Sequence, residues 1–199
     1  KRMSVFRSTK FVLVLCFILV ASVVAGCGGG DKKPAEQKSQ QPLVLKLAEN
    51  QPEDYPTTIG DKEFAKIVNE KTKGRIKIEV YAGGQLGDEK SVIEAVQMGG
   101  IHLARVNAQP LSDFAKKLRV LSLPYLFNGP DHLWKVLNGP VGKEILDSLE
   151  AAKMIGLTYY DSGVRSFYNS KREVLTPADM KGLKIRVQQS ELMVGLVQS

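Results

Sequence analysis

Ile76-Lys-Ile-Glu-Val-Tyr81, Ala82-Gly-Gly-Gln-Leu-Gly87, Asp88-Glu-Lys-Ser-Val-Ile-Glu-Ala-Val-Gln-Met98, Gly99-Gly100 and Ile101-His-Leu-Ala-Arg-Val106 run on without a break. The first piece alternates apolar and polar residues and predicts a strand, and the glycine-rich piece predicts a turn. Asp88 to Met98 predicts a helix with Val92, Ile93 and Val96 on one face; Asp88 and Glu89 suit its N-terminus, and Gly99-Gly100 stops it before a strand over 101–106. Upstream, Leu43-Val-Leu-Lys-Leu47 reads as a strand, Pro52, Tyr55 and Pro56 as a loop, and Ile59 to Lys73 as a helix ended by Gly74. Its expected inner face is Phe64, Ile67 and Val68. Strand, helix, strand, helix, strand specifies an α/β domain on a parallel sheet.

Downstream of Pro110 the pattern turns helical, over Leu111 to Lys117, Asp131 to Leu137 and Val141 to Ala152, with the segment Leu121-Ser-Leu-Pro-Tyr-Leu-Phe127 between the first two. Strands are then expected again: Met154 to Asp161, apolar enough to be buried, Ser166 to Asn169, and Leu183 to Val187. Thr176-Pro-Ala-Asp179 predicts a short helical turn. In the last strand Ile185 and Val187 face one way, and Lys184, Arg186 and Gln188 the other. Arg186 thus lies near a strand C-terminus, where open α/β sheets bind ligands, and Ser190 is placed to cap the next helix. Arg165, in Asp161-Ser-Gly-Val-Arg165-Ser-Phe-Tyr-Asn169, is a second arginine on an apolar background. A guanidinium held there is costly unless paired, and a carboxylate ligand would offset the cost. The helix begun by Ser190 still carries Leu192, Val194, Leu196 and Val197 at the last residue, Ser199, so the chain reads as truncated.

The chain has 199 residues, 43% of them apolar, enough for one solid core or the start of two lobes. Its formal charge of +7 suggests nucleic acid until the charge is located. Lys1, Arg2, Arg7 and Lys10 supply four positive charges, and no acid occurs in residues 1–26. Without those four, 24 basic residues face 21 acidic ones, with no basic run interleaved with aromatics. Nucleic acid is therefore set aside.

Residues 1–26 read as a signal peptide: a basic start, an apolar run from Phe11 to Ala25, and Val24-Ala25-Gly26 before Cys27. The run is too short to span a bilayer core, which takes about 20 residues. Small residues before a cysteine resemble a bacterial lipoprotein cleavage box, implying lipid on Cys27 and an anchor outside the cytoplasmic membrane. An export signal with an incidental Cys27 is the alternative. Residues 27–42 continue as a polar, glycine-rich tether that has no apolar residue larger than alanine beyond Cys27 and cannot offset the entropy of ordering. Cys16 lies in the apolar run and Cys27 would carry lipid, so the mature domain has no thiol, no disulfide and no thiolate metal site.

Four motifs, in order, carry a family resemblance over nearly all of Leu43 to Ser199. They are Ala82-Gly-Gly-Gln-Leu-Gly-Asp-Glu89, Leu123-Pro-Tyr-Leu-Phe127, Gly163-Val-Arg165 and Ala178-Asp-Met-Lys-Gly-Leu-Lys-Ile-Arg-Val187. Together the chain resembles the extracytoplasmic solute receptors of TRAP transporters, the DctP family. The resemblance implies an α/β, two-lobed, periplasmic-binding-protein-like fold, incomplete at the C-terminus. A first lobe is expected over 43–162 and the start of a second over 163–199. It further implies hinge strands, a cleft closing on a small carboxylate, delivery to the TRAP permease membrane subunits without ATP, and no cofactor or metal.

By the same resemblance Arg186 corresponds to the arginine that grips the substrate carboxylate bidentately, and Arg165 to a second arginine beside it. Asn50, Glu89, Asn107 and Arg105 correspond to positions near the ligand's polar body. Each could equally be a cap or a loop residue, and either Arg165 or Arg186 could pair with Asp161 or Asp179. Asp54-Tyr-Pro-Thr57, Arg105-Val-Asn107, Phe167-Tyr-Asn169 and Arg186-Val-Gln-Gln-Ser190 look most like the branch that binds hexuronates such as glucuronate and galacturonate. Gln51 departs from it, where histidine is common, leaving other sugar acids and C4 dicarboxylates open. Two other classes compete. A uronate-processing enzyme would need a site, yet His102 and His132 lack metal spacing, and acid pairs such as Asp88-Glu89 or Glu53-Asp54 read as solvated or as helix starts. A binding lobe feeding a sensor is the other.

Overall fold

Leu43–Glu49 (β1), Ile76–Tyr81 (β2) and Leu103–Arg105 (β3) form one parallel sheet in the order β2-β1-β3. The computed structural model describes residues 41–199. The expected signal peptide 1–26 and Cys27 lie outside the described residues, as does the tether apart from Gln41 and Pro42, which are exposed. Parallel neighbours need a crossover, and the helices Pro56–Lys71 (α1) and Glu89–Gln97 (α2) provide the two required here. The expected α/β core of the chain is therefore present, strand for strand.

Burial rises along the central strand, from Leu43 at 57% exposed to Leu47 and Ala48 at 4% and Glu49 at 2%. Its C-terminal end is the closed end of the sheet, and there it carries an acid. Ala48 packs with Val92 of α2 and Ile101 in one apolar cluster, each such side chain contributing about 1.5–3 kcal/mol on burial. Glu49 points to the opposite face, toward α1. That helix starts earlier than its apolar pattern suggests, because Pro56 takes the first turn, and Thr57, Thr58 and Asp61 become its buried residues. The expected inner face is corrected accordingly: Phe64 and Val68 are half-buried, whereas Ile67 is exposed. Lys73 and Gly74, both with positive φ, end the helix as foreseen.

Beyond β3 come Ala108–Leu111 (α3), a 3₁₀ segment over Lys116–Ser122, and the helices Pro130–Leu137 (α4) and Pro140–Asp147 (α5). The helix expected over Leu111 to Lys117 is thus split, α3 ending at the Ser112 cap and the chain tightening into 3₁₀ geometry. Both α4 and α5 begin with proline after glycine. At Gly142 a Cβ would lie 1.9 Å from the Leu137 carbonyl oxygen, so only glycine admits this close helix approach. Ala115, Leu118, Ile145 and Leu149 make a second apolar cluster, with Met154 and Tyr159 packed against it.

After Ala152 the expectations fail in a consistent way. The strands anticipated at Met154 to Asp161, Ser166 to Asn169 and Leu183 to Val187 are extended chain without ladder pairing among the described residues. Nor is the first buried: Ile155 is 78% and Leu157 62% exposed. Alternation predicts extended backbone, but a strand also needs a neighbour for its N–H and C=O groups, and none of the three strands is adjacent. Residues 183–187 do keep the expected alternation, Ile185 and Val187 half-buried and Lys184 and Arg186 exposed. Gln188 departs from it; it is buried and donates from Nε2 to Gln109 Oε1 at 3.2 Å. The turn at Thr176 forms as a capping box with Asp179, and Glu191–Gln198 (α6) follows Ser190. Ser190 is the N-cap residue but makes no side-chain cap bond, the Asp113 carboxylate accepting from the Glu191 N–H instead.

Candidate functional site

The buried end of the sheet is polar, because the strand pairing places one acid beside one base. Glu49 at the end of β1 is in register with Arg105 at the end of β3. Arg105 donates from Nε to Glu49 Oε2 at 2.7 Å, with side chains 8% and 0% exposed. Burying a charge pair costs several kcal/mol per ion unless its remaining valences are filled. Here they are filled: Thr57 Oγ1 and the Gln51 N–H donate to Glu49, Arg105 Nη2 donates to Thr57 Oγ1, and Arg105 Nη1 donates to Asn107 Oδ1 at 3.3 Å.

Asn107 carries the network to the other face of the sheet. Its N–H donates to Glu89 Oε1 at 2.6 Å and its Nδ2 to Glu89 Oε2 at 3.2 Å. Glu89, the first residue of α2, is thus fixed by a loop after β3 as well as by its own helix start. Asp88 caps that helix, accepting from the Ser91 N–H at 2.9 Å, and this bond holds its carboxyl below the usual carboxylate range. The glycine turn is pinned to the same strand end: the Gly83 N–H donates to the Gln51 carbonyl and the Gly84 N–H to the Glu49 carbonyl. Gly83, Gly84 and Gly87 all have positive φ, a tight geometry that explains their spacing.

A crevice of about 10 Å³, room for about one water, opens between Glu49, Asn50, Gly84, Leu86, Glu89 and Arg105. On its wall Asn50 Oδ1 is buried without a hydrogen-bond donor. Below the crevice, on α1, the buried Asp61 faces Glu49, and its pKa is pushed up from 3.8 to about 7 by burial first and the Glu49 charge second. Tyr160 stands on the other side of Asp61; burial and then Asp61 push its hydroxyl up to about 12.

Of the sequence-selected residues, Asn50, Glu89, Arg105 and Asn107 come together here. Arg105 is largely committed internally, its charge matched by Glu49. Arg165 and Arg186 stand apart, both exposed and without an ion pair among the described residues. Exposed in this way, neither is buried against the apolar wall expected of it. Asp161 instead accepts from the Gly163 N–H, and Asp179 from the N–H groups of Leu175 and Thr176. Both arginine segments are nonetheless tied to the cluster's surroundings. Tyr55 donates to the Ser162 carbonyl at 3.0 Å, three residues before Arg165, and Gln189 donates to Asp88 Oδ2 at 3.4 Å, three residues after Arg186. The sequence motifs do not single out Glu49, Asp61 or Tyr160, and Thr57 enters them only within Asp54-Tyr-Pro-Thr57. An acid at the inward step of Leu45, Leu47 and Glu49 was the available signal.

Residues 47–199 match the bacterial extracellular solute-binding protein family 7, DctP, and the chain belongs to that family. A solute-binding protein of Chromohalobacter salexigens is 37% identical over 146 residues, 73% of this chain and 44% of the relative. Two solved structures superpose at TM-score 0.75. One is a TRAP periplasmic solute binding protein of Xanthobacter autotrophicus Py2 with bound β-D-galacturonate, 39% identical over 77% of this chain and 51% of the other. The second, from Bradyrhizobium sp. BTAi1, is in complex with α/β-D-galacturonate, 42% identical over 78% of this chain and 52% of the other. The chain spans about half the length of these proteins, and over that half its fold is that of the TRAP solute receptors. Among the described residues no helix is long and apolar enough to cross a membrane.

Proposed function

From this family membership we propose that the chain is the capturing part of an extracytoplasmic TRAP solute receptor that takes a hexuronate, galacturonate or glucuronate. Residues 43–162 form the first lobe and 163–199 begin the second, with the ligand held where they meet. Arg186 grips the sugar carboxylate and Arg165 supports it, each pair contributing about 1.5–3 kcal/mol. Asn50 Oδ1 accepts from a ligand hydroxyl, and Glu89 and Asn107 offer further polar contacts. Arg105 holds Asn107 from below. The crevice admits no more than a water, so the sugar lies over it and the arginine segments close from above. The loaded receptor delivers its ligand to the TRAP permease subunits, and lipid on Cys27 keeps it near them. The family is one of solute-binding proteins, and we infer binding without turnover.

One observation carries this reading: both arginine segments, with unpaired guanidinium groups, are tethered by hydrogen bonds beside a polar cluster that has an unused acceptor. Calorimetric titration of the full-length mature protein with galacturonate, glucuronate, succinate and sialic acid tests it. Tightest binding is expected for a hexuronate, weakened about 10- to 100-fold in Arg186→Ala. Failure to bind any of the four acids, or an unchanged affinity in that variant, overturns the assignment.

A further inference from the structure

One buried ionisable group has no part in that scheme. Asp61 is 3% exposed, and its Oδ2 has no hydrogen-bond donor. The titratable and charged groups facing it are Glu49 from β1, Arg105 from β3 and Tyr160 from the extended segment; from its own helix Thr57 lies against Glu49. Charge counting gives the problem directly. Two carboxyl groups lie beside one guanidinium where all three side chains are almost wholly buried, so ionising both leaves a buried net negative charge. Like charges in contact avoid this by keeping one proton between them.

We propose that Asp61 holds one proton against Glu49 and thereby acts as a positioning residue for the polar row that meets the ligand. With Asp61 neutral, Glu49 is the sole counter-charge of Arg105, and the guanidinium spans Glu49, Thr57 and Asn107 at once. When the proton leaves to solvent, the new carboxylate repels Glu49 and competes for the same guanidinium. The longest of the three Arg105 bonds, 3.3 Å to Asn107 Oδ1, is the first to yield. Asn107 is then free to turn, and the Glu89 carboxylate loses its side-chain partner. Proton loss at Asp61 thus reaches the ligand-facing residues through Glu49, Arg105 and Asn107, though Asp61 touches no ligand.

The inference rests on the receptor reading, and titration of the full-length protein with D-galacturonate between pH 6 and pH 8.5 tests it. Affinity of the native protein is expected to fall about tenfold across that range, as Asp61 ionises around pH 7. In Asp61→Asn, whose amide donates to Glu49 at every pH, the ratio of the two affinities stays within about twofold. In Glu49→Gln, where the like charge is gone, the inflection moves to lower pH. A flat profile in the native protein, or an unchanged profile in both variants, overturns the inference. If the native protein binds no sugar acid at any pH, the receptor reading fails, and the shared proton is read from thermal unfolding instead. Asp61 has a raised folded-state pKa, so its stabilisation is complete below about 3.8 and is lost as pH rises to about 7. The Tm of the native protein should therefore fall relative to Asp61→Asn across that window, and a constant difference refutes the shared proton.

Discussion

Residues 43–106 and residues 154–190 are written in the same idiom, short apolar runs set between glycines and polar turns, yet only the first builds a sheet. In the first, β1 has a neighbour on each side, its backbone groups are spent in ladders, and Leu47, Ala48 and Glu49 are sealed. In the second, the chain has no ladder pairing among the described residues, and Ile155, Leu157 and Val164 are exposed. The arginines divide in the same way. Arg105 is locked by Glu49, Thr57 and Asn107, while Arg165 and Arg186 are exposed. A guanidinium in the closed region is architecture, and those in the open region keep a charge without an ion pair among the described residues.

The largest test of this contrast is Glu49→Ala. It removes the acid bonded to Arg105 and leaves Asp61 as the nearby carboxyl to offset the buried guanidinium, and should cost about 3 kcal/mol in urea unfolding. A loss under about 1 kcal/mol would mean the pair is not closed to water. Truncating paired against unpaired leucines comes next: Leu47→Ala is expected to cost about 2–5 kcal/mol. Leu157→Ala should stay within about 0.5 kcal/mol, and equal losses would erase the distinction between the regions. The smallest effect is the most pointed. Arg165→Ala and Arg186→Ala should each leave unfolding unchanged within about 0.5 kcal/mol while weakening galacturonate binding, which separates ligand contact from structural support.

Much of the first region was legible because its signals are local. Gly74 and Gly99 end helices by taking positive φ, which other residues avoid, and Asp88 caps α2; the start of α1 at Pro56 was not legible, because a proline after a loop reads equally well as part of that loop. Asn50, Glu89 and Asn107 could be selected because they sit where strands end and helices begin, though their mutual bonds could not be foreseen. Arg105 looked like a ligand group because an isolated arginine in a sequence carries no mark of the acid that will neutralise it. The strands expected at 154–161 and 183–187 misled for a related reason: alternation reports which way side chains point and says nothing of whether another strand lies alongside.

By itself the sequence determined the succession of strands and helices through residue 106 on a parallel sheet, where α1 and α2 stop, and the family to which the chain belongs. Those properties depend on contacts a few residues apart or on motifs read along the chain. Tertiary structure alone decided that Glu49 and Arg105, 56 residues apart, meet across neighbouring strands, and that Asp61 is pressed against them. It also decided that Arg165 and Arg186 stay exposed. Burial strips water from a charge and makes its nearest partner count for far more, and which partner is nearest is settled only when distant segments pack.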